Sequence, residues 1–164
     1  MRVIVDTNVA VVANQRHSHA TAACILACIE RLALIEREQT LVLDNQWFIL
    51  REYMQRLHAT GQPGVGDRFL RWVLTNRANP QRCELVPITP KHRDQDGDFG
   101  EFPSLPELKK FDPADKKFVA VALAHPEHPP ILNAVDTDWQ VFRESLEQLG
   151  VAVEFLCGEL KPRQ

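Results

Sequence analysis

The sequence predicts an α/β fold with a parallel sheet, because short apolar runs alternate with stretches of helical spacing along the chain. A chain of 164 residues is long enough for one domain with a sizeable core. Its composition is that of an ordinary globular protein, and it shows neither an internal repeat nor an interdomain linker. The predicted strands cover residues 3–5, 41–43, 85–86, 131–135 and 151–155.

The predicted helices occupy the segments between these strands. Residues 20–38 carry apolar side chains at helical spacing, and a helix that Asp44 can cap runs to about residue 58. Residues 91–111 are polar, acidic and interrupted by Pro and Gly, and they are predicted to form one long loop. Further helices are predicted over residues 67–77, about 112–125, and 139–149.

Composition limits the classes of function. The net charge of -3 gives no global electrostatic case for nucleic-acid binding, so any such site must be a local patch. No apolar run approaches the roughly 20 residues of a membrane span, and Asp6 interrupts the apolar start before a signal peptide could form. Cys24 and Cys28 lie four residues apart, a spacing typical of neither a redox pair nor a zinc knuckle. We therefore expect reduced, mostly buried thiols in a cytoplasmic protein without membrane contact.

Acidic residues follow two of the predicted strands. Asp6 comes directly after the first strand and Asp136 directly after the fourth. In open α/β sheets, sites form at the carboxyl ends of strands where the strand order reverses, so these carboxylates converge if their strands are neighbours. Asp115 lies in the first turn of a helix, on the face of Phe118 and Val119 that packs on the sheet. The positive end of that helix is expected to keep Asp115 ionised.

Converging carboxylates predict a bound cation. They repel one another and raise each other's pKa unless a positive charge offsets them. Mg²⁺ or Mn²⁺ is the natural partner, since both are hard ions that take oxygen ligands. Such a metal lowers the pKa of a bound water and stabilises the extra charge on a phosphodiester under attack. The chemistry then needs no nucleophilic side chain.

Each acid also has a plainer interpretation. Asp6 could be a turn residue or the nucleophile of a phosphoryl-transfer enzyme. Asp44, Asp112 and Asp138 all stand where helix caps are typical. Asp115 could be the third-position partner in the cap that Asp112 begins.

Four segments together resemble the PIN-domain family of ribonucleases, which includes toxins of toxin–antitoxin pairs. Val3-Ile4-Val5-Asp6-Thr7-Asn8-Val9 resembles the family's opening strand, where Asp-Thr-Asn carries the first acid. Glu52, whose helical periodicity leaves open whether it faces a site or solvent, occupies the position of the family's helical Glu. Asp115 resembles the third acid before an Ala-rich helix, and Asp136-Thr137-Asp138-Trp139 resembles the Asp-x-Asp-aromatic ending of the fourth strand.

The resemblance covers residues 1–156, a PIN-like nuclease domain followed by a tail at residues 157–164. It implies a single-domain α/β/α sandwich with a central, mostly parallel five-stranded sheet. It also implies an acidic Mg²⁺ or Mn²⁺ site and endoribonuclease activity on single-stranded RNA. The implied catalytic residues are Asp6, Glu52, Asp115 and Asp136. The implied metal ligands are Asp6, Asp115, Asp136 and, as an auxiliary, Asp138, while Asn8 is expected to support Asp6 by hydrogen bonding.

Two features depart from the family pattern. Ala134 stands where many members have Thr or Ser two residues before the fourth acid, and the loop at residues 91–111 is longer than in compact toxin members. Asp94, Asp96 and Asp98 in this loop superficially resemble a calcium loop. The downstream Glu of an EF-hand is missing, so we interpret the segment as a solvated loop.

RNA binding would need a local basic patch. Residues 51–93 contain eight Lys or Arg and three Asp or Glu, which favours phosphate contacts there, although solvated helix faces would look the same. The candidate RNA contacts are Arg51, Arg68, Arg71 and Lys116. Trp72 could stack on a base, but core packing is the commoner role. The His17 and His19 pair is interpreted as solvated.

Three hypotheses follow. The first is a metal-dependent endoribonuclease with RNA as substrate, for which an antitoxin protein and a homodimer are open as partners. The second is a non-catalytic PIN-like module that binds RNA or protein. The third is a phosphatase that uses Asp6 as nucleophile, but phosphatases of the haloacid-dehalogenase type have a second Asp two residues later, where this chain has Asn8.

Overall fold

A computed structural model of the chain describes residues 1–61, 63–92 and 97–160. Across these ranges a sheet of five parallel strands runs in the order β3-β2-β1-β4-β5. The predicted α/β fold with a central parallel sheet is therefore confirmed. The strands are β1 (Arg2–Val5), β2 (Thr40–Asp44), β3 (Cys83–Val86), β4 (Ile131–Asn133) and β5 (Val153–Phe155).

The strand order reverses between β1 and β4. From β1 the chain moves outward to β2 and β3 on one side, and β4 and β5 lie on the other. Val3, Ile4 and Val5 are completely buried, as expected for a parallel sheet that is covered on both faces. β1 and β4 are neighbours, which is the condition under which Asp6 and Asp136 were predicted to converge.

Helices cover the sheet in the part of the chain that the structure describes. A short 3₁₀ turn at Pro113–Asp115 leads directly into the fifth helix, and the predicted last helix is divided in two at Phe142. The helices are α1 (Thr7–Ala13), α2 (Ala22–Glu38), α3 (Phe48–Arg56), α4 (Val65–Asn76), α5 (Lys116–Ala124), α6 (Asp138–Val141) and α7 (Arg143–Gln148). Among the described residues, none of the helices is both long and apolar enough to cross a membrane.

The sequence did not indicate α1, which begins immediately after Asp6. Val9, Ala10 and Val12 in this helix are completely buried, so it has too few polar positions to show an amphipathic period. At Gly66 in α4, an added Cβ would lie 2.0 Å from Ala10 O. This close approach requires glycine and fixes α1 against α4.

Asp44 starts α3, as its capping interpretation predicts. Its Oδ2 accepts hydrogen bonds from Gln46 N at 3.1 Å and Phe48 N at 2.9 Å, and its Oδ1 accepts one from Ile49 N at 2.9 Å. The helix begins four residues after Asp44, because Trp47 has a φ of 67° and interrupts the turn. These hydrogen bonds engage both carboxylate oxygens of Asp44, so Asp44 is not available to a metal.

The long segment before α5 is more than a polar loop. Phe99, Phe102 and Phe111 are buried in the core, and the ring of Phe111 packs edge-on against Trp139 with centroids 5.5 Å apart. The prediction of one long loop over residues 91–111 did not indicate that its second half contributes to the core, because these aromatic residues are too widely spaced to show a period. Asp94 and Asp96 of the calcium-like pattern lie outside the described residues, as does Arg93.

A disulfide joins Cys24 in α2 to Cys157 after β5, whereas Cys28 and Cys83 are buried thiols. The expectation of reduced thiols is therefore wrong for Cys24 and Cys157. Spacing along the chain could not indicate it, because the two residues are 133 positions apart. The disulfide ties the first part of the predicted tail, residues 157–160, to the domain, and Gln140 hydrogen-bonds both backbone groups of Leu160.

Candidate metal centre

Asp6 is held at the junction of β1 and β4. Its backbone N donates to Leu132 O at 3.1 Å, which extends the pairing of the two strands. Its Oδ1 accepts from Asn8 N at 2.9 Å and so caps α1, and its Oδ2 accepts from Trp139 Nε1 at 2.7 Å. The side chain of Asp6 is only 5% exposed, so both its position and its orientation are fixed.

Asn8 and Asn133 build the loop that presents Asp136. Asn8 Oδ1 accepts from Ala134 N at 2.8 Å and Val135 N at 3.2 Å, while its Nδ2 donates to Asn133 Oδ1 at 2.9 Å. Asn133 Nδ2 in turn donates to Asp136 O at 2.9 Å. Asn8 therefore lies beside Asp6 but organises the neighbouring strand end. Sequence reasoning missed Asn133, although a polar residue inside an apolar strand was a usable signal.

Asp115 ends the 3₁₀ turn that precedes α5 and points into the protein. It is 7% exposed, and its Oδ2 has no hydrogen-bond partner among the described residues. Buried polar atoms are almost always paired, so this oxygen faces a position where a ligand would complete it.

The structure brings the predicted acids together in two overlapping groups. In each group, ligand atoms from three carboxylates lie within 4.8 Å of one another. One group contains Asp6, Asp115 and Asp136, and the other contains Asp112, Asp115 and Asp138. Asp112 also accepts from Ala114 N at 2.9 Å, so its predicted role as a cap is correct but incomplete. Asp138 donates its backbone N to Asp136 Oδ1 at 3.0 Å, which links the two groups.

Burial raises the pKa of the two central acids. The pKa of Asp6 rises to about 7, through burial and the charges of Glu52 and Asp136, although Asn8 N and Trp139 partly oppose this. Burial, followed by the charges of Asp6 and Asp136, raises the pKa of Asp115 to about 9. The expectation that the helix keeps Asp115 ionised is therefore wrong for the metal-free chain, because loss of water outweighs the helix dipole. Near neutrality Asp115 therefore holds its proton, and Asp6 holds one part of the time.

Glu52 and Lys117 form the other side of the site. Glu52 faces the acids, which its periodicity had left undecided: its Oε2 accepts from Thr7 Oγ1 and its Oε1 lies 3.2 Å from Lys117 Nζ. Lys117 is completely buried, and sequence reasoning did not predict a buried lysine beside the acids. After Lys116 and Lys117, α5 is apolar on every side, a pattern typical of a helix buried all round, and this could have indicated a buried lysine.

The acids line an open cavity of about 410 Å³. Arg56 and His17 also line it, and Arg56 was not among the predicted RNA contacts. Among those contacts, Arg68 and Arg71 line a different cavity between α2 and α4 with Trp72, and Arg51 lies over the ring of Phe48. Lys116 pairs with Asp98 at 3.8 Å and lies over the ring of Phe102. The structure therefore does not gather the four predicted RNA contacts into one patch.

No protein-family model, curated protein or solved structure matches this chain. What the site can do must be inferred from its own residues and geometry.

Proposed function

We propose that the chain is a divalent-metal-dependent endoribonuclease, which hydrolyses RNA phosphodiesters with a metal-activated water held by a carboxylate cluster. The observation that carries this proposal is Asp115 Oδ2, a buried oxygen without a partner among the described residues. A carboxylate oxygen of Asp115 lies within 4.8 Å of ligand oxygens of Asp6 and Asp136, and all three residues line one cavity. Acids in this arrangement are costly to the fold unless they serve a cation.

The residues present fit a hard cation. The donors are all carboxylate oxygens, which suits Mg²⁺ or Mn²⁺ better than a soft metal. Asp6, Asp115 and Asp136 would hold the ion. Asp138, which belongs to the second cluster with Asp112 and Asp115, would be an auxiliary ligand. Trp139 Nε1 donates a hydrogen bond to Asp6 Oδ2, the kind of support that metal ligands commonly require.

When bound, the metal would supply an activated water and stabilise the developing charge on the phosphodiester. The chain's own residues prepare that chemistry. A bound metal would favour the ionised form of Asp115 and of Asp6, so metal uptake near neutrality should release the proton of Asp115 and the fraction of a proton that Asp6 holds. Trp139 Nε1 orients Asp6, and Asn8 fixes the strand end that carries Asp136. We assign Glu52 to the catalytic group because its carboxylate faces the same cavity.

Binding of a phosphodiester substrate is supported by the cations near the acids. Arg56 lines the acidic cavity and could contact a phosphate next to the scissile bond. Lys116 lies at the first turn of α5, directly after Asp115. Because the weak net charge offers no large basic surface to hold a duplex, we propose an extended single strand as the substrate.

The proposal is tested by incubating the purified protein with labelled single-stranded RNA and single-stranded DNA, with Mn²⁺, Mg²⁺ or a chelator. We expect RNA cleavage with either ion and none with the chelator. Asp6→Asn and Asp136→Asn should lose the activity by at least about a hundredfold, whereas the exposed Glu144→Gln should retain it. The absence of both metal binding and RNA cleavage with either ion would overturn the proposal.

A non-catalytic module that binds RNA or protein is the second candidate. It is favoured by the cavity of about 500 Å³ between α2 and α4, where Arg68, Arg71 and Trp72 lie together. RNA binding that is unaffected by a chelator and lost in Arg68→Ala, with no cleavage, would support this candidate against the first.

The biological setting is a further part of the proposal. A toxin role would require an antitoxin protein, for which a small open reading frame immediately upstream would be the supporting observation. A homodimer would be tested by sedimentation equilibrium. A cytoplasmic location remains a prediction, and the Cys24–Cys157 disulfide gives it a test. If the compartment keeps thiols reduced, a thiol-blocking reagent applied to intact cells should modify both Cys24 and Cys157.

A further inference from the structure

Lys117 is a charged side chain that the fold buries completely beside the acidic cluster. Its exposure is 0%, its Nζ lies 3.2 Å from Glu52 Oε1, and it donates a hydrogen bond to Ala114 O. Lysine is almost never fully buried unless it is paired, because an ammonium group is strongly hydrated in water. The fold therefore fixes a positive charge at this place, in contact with Glu52.

Both carboxylate oxygens of Glu52 are engaged within the protein. Oε1 faces Lys117 Nζ, and Oε2 accepts a hydrogen bond from Thr7 Oγ1. Asp115 differs, since its Oδ2 has no partner among the described residues. Glu52 lines the same cavity as the aspartates. Across the described chain, however, the two clusters of acidic residues that could hold a metal contain only aspartates.

Lys117 must act through another residue, because its buried ammonium cannot reach a substrate in the cavity. A divalent cation placed on Glu52 would lie close to Lys117 Nζ and be repelled by it. The same ammonium lowers the electrostatic cost of the acids around it. Glu52 is therefore the carboxylate that Lys117 neutralises, whereas the aspartates of the cluster still need a cation.

We propose that Lys117 is a positioning residue that neutralises Glu52 and thereby confines the divalent metal to the aspartates. This inference rests on the proposed metal-dependent function and adds which acids take the metal and why. Glu52 remains at the cavity as an oriented carboxylate outside the metal's coordination shell. Loss of the Lys117 charge would leave Glu52 as an additional ligand for a cation.

The test counts Mn²⁺ bound to the full chain by titration calorimetry and by electron paramagnetic resonance of the free ion. The proteins compared are the unmodified chain, Lys117→Met, Glu52→Gln and the double variant. We expect the unmodified chain and Glu52→Gln to bind the same number of ions with similar affinity. Lys117→Met should bind one more ion, or bind Mn²⁺ at least about tenfold more tightly. The double variant should return to the unmodified behaviour.

The double variant also guards against misfolding, since it removes the buried ammonium together with the Glu52 carboxylate that it contacts. It should unfold at a higher urea concentration than Lys117→Met in the presence of a chelator. Loss of a bound ion in Glu52→Gln, or identical Mn²⁺ binding by Lys117→Met and the unmodified chain, would overturn the inference while the metal-dependent function stands. If the unmodified chain bound no Mn²⁺, the proposed function itself would fail.

Discussion

Replacing Asp115 with Asn should stabilise the metal-free protein while it removes metal binding. Burial and neighbouring charges raise the pKa of Asp115 from 3.8 to about 9, so at neutral pH the folded chain holds a proton that the unfolded chain has lost. About three pH units separate 3.8 from neutrality, and each is worth about 1.4 kcal/mol. Asp115 therefore lowers the free energy of unfolding by up to about 4 kcal/mol, a cost that Asn does not incur.

The same proton gives the pH dependence its sign. Because the folded pKa lies above the unfolded one, the contribution of Asp115 to stability is most favourable below pH 3.8 and is lost as the pH rises to about 9. The unfolding free energy of the unmodified chain should therefore fall across this range in the presence of a chelator. In Asp115→Asn, the decrease in the free energy of unfolding should be smaller by about 1.4 kcal/mol per pH unit, which is the contribution of one proton. Saturating Mn²⁺ should stabilise the unmodified chain and leave Asp115→Asn unchanged.

Urea unfolding with a chelator, at several pH values, measures both effects, and Asp67→Asn provides a matched control. Asp67 is also buried, which by itself would raise its pKa, but hydrogen bonds from His58 N, the Asn14 side chain and Gly64 N lower it. Asp67→Asn should therefore destabilise the fold by about 1 to 3 kcal/mol. If Asp115→Asn were less stable than the unmodified chain, with an unchanged pH slope, the reasoning would be refuted.

Two further predictions concern the support of the site and the fold. Trp139→Phe removes the 2.7 Å hydrogen bond to Asp6 Oδ2, so the pKa of Asp6 should rise further above about 7 and Mn²⁺ affinity at neutral pH should fall by about tenfold or more. Calorimetry at neutral and alkaline pH checks this, since an affinity loss that is equal at both would contradict the pKa argument. Cys24→Ser with Cys157→Ser opens a disulfide that closes a separation of 133 residues. The chain-entropy relation then predicts a loss of up to about 5 kcal/mol in the free energy of unfolding, and a urea midpoint equal to that of the oxidised chain would contradict it. The buried free thiol variant Cys83→Ser is the control for the loss of a sulfur atom.

The sequence by itself determined the layered architecture and three acids of the site. Short apolar strands that alternate with helical stretches allow few arrangements other than a parallel sheet covered on both faces. Asp6 and Asp136 follow strands directly, and such positions meet once the strands are neighbours. Asp115 could be assigned to an inward face because the apolar Phe118 and Val119 share that face at spacings of three and four, and the structure buries all three residues.

Only the tertiary structure decided the features that depend on contacts between distant segments. Glu52 meets Lys117 across 65 positions, and Asn8 meets Ala134 across 126, so no local period could indicate either contact. The protonated state of Asp115 depends on how much water the fold removes and how many carboxylates surround it, which outweighs the local helix dipole. Cys24 and Cys157 form a pair for the same reason, because proximity in space brings together thiols whose spacing along the chain carries no signal.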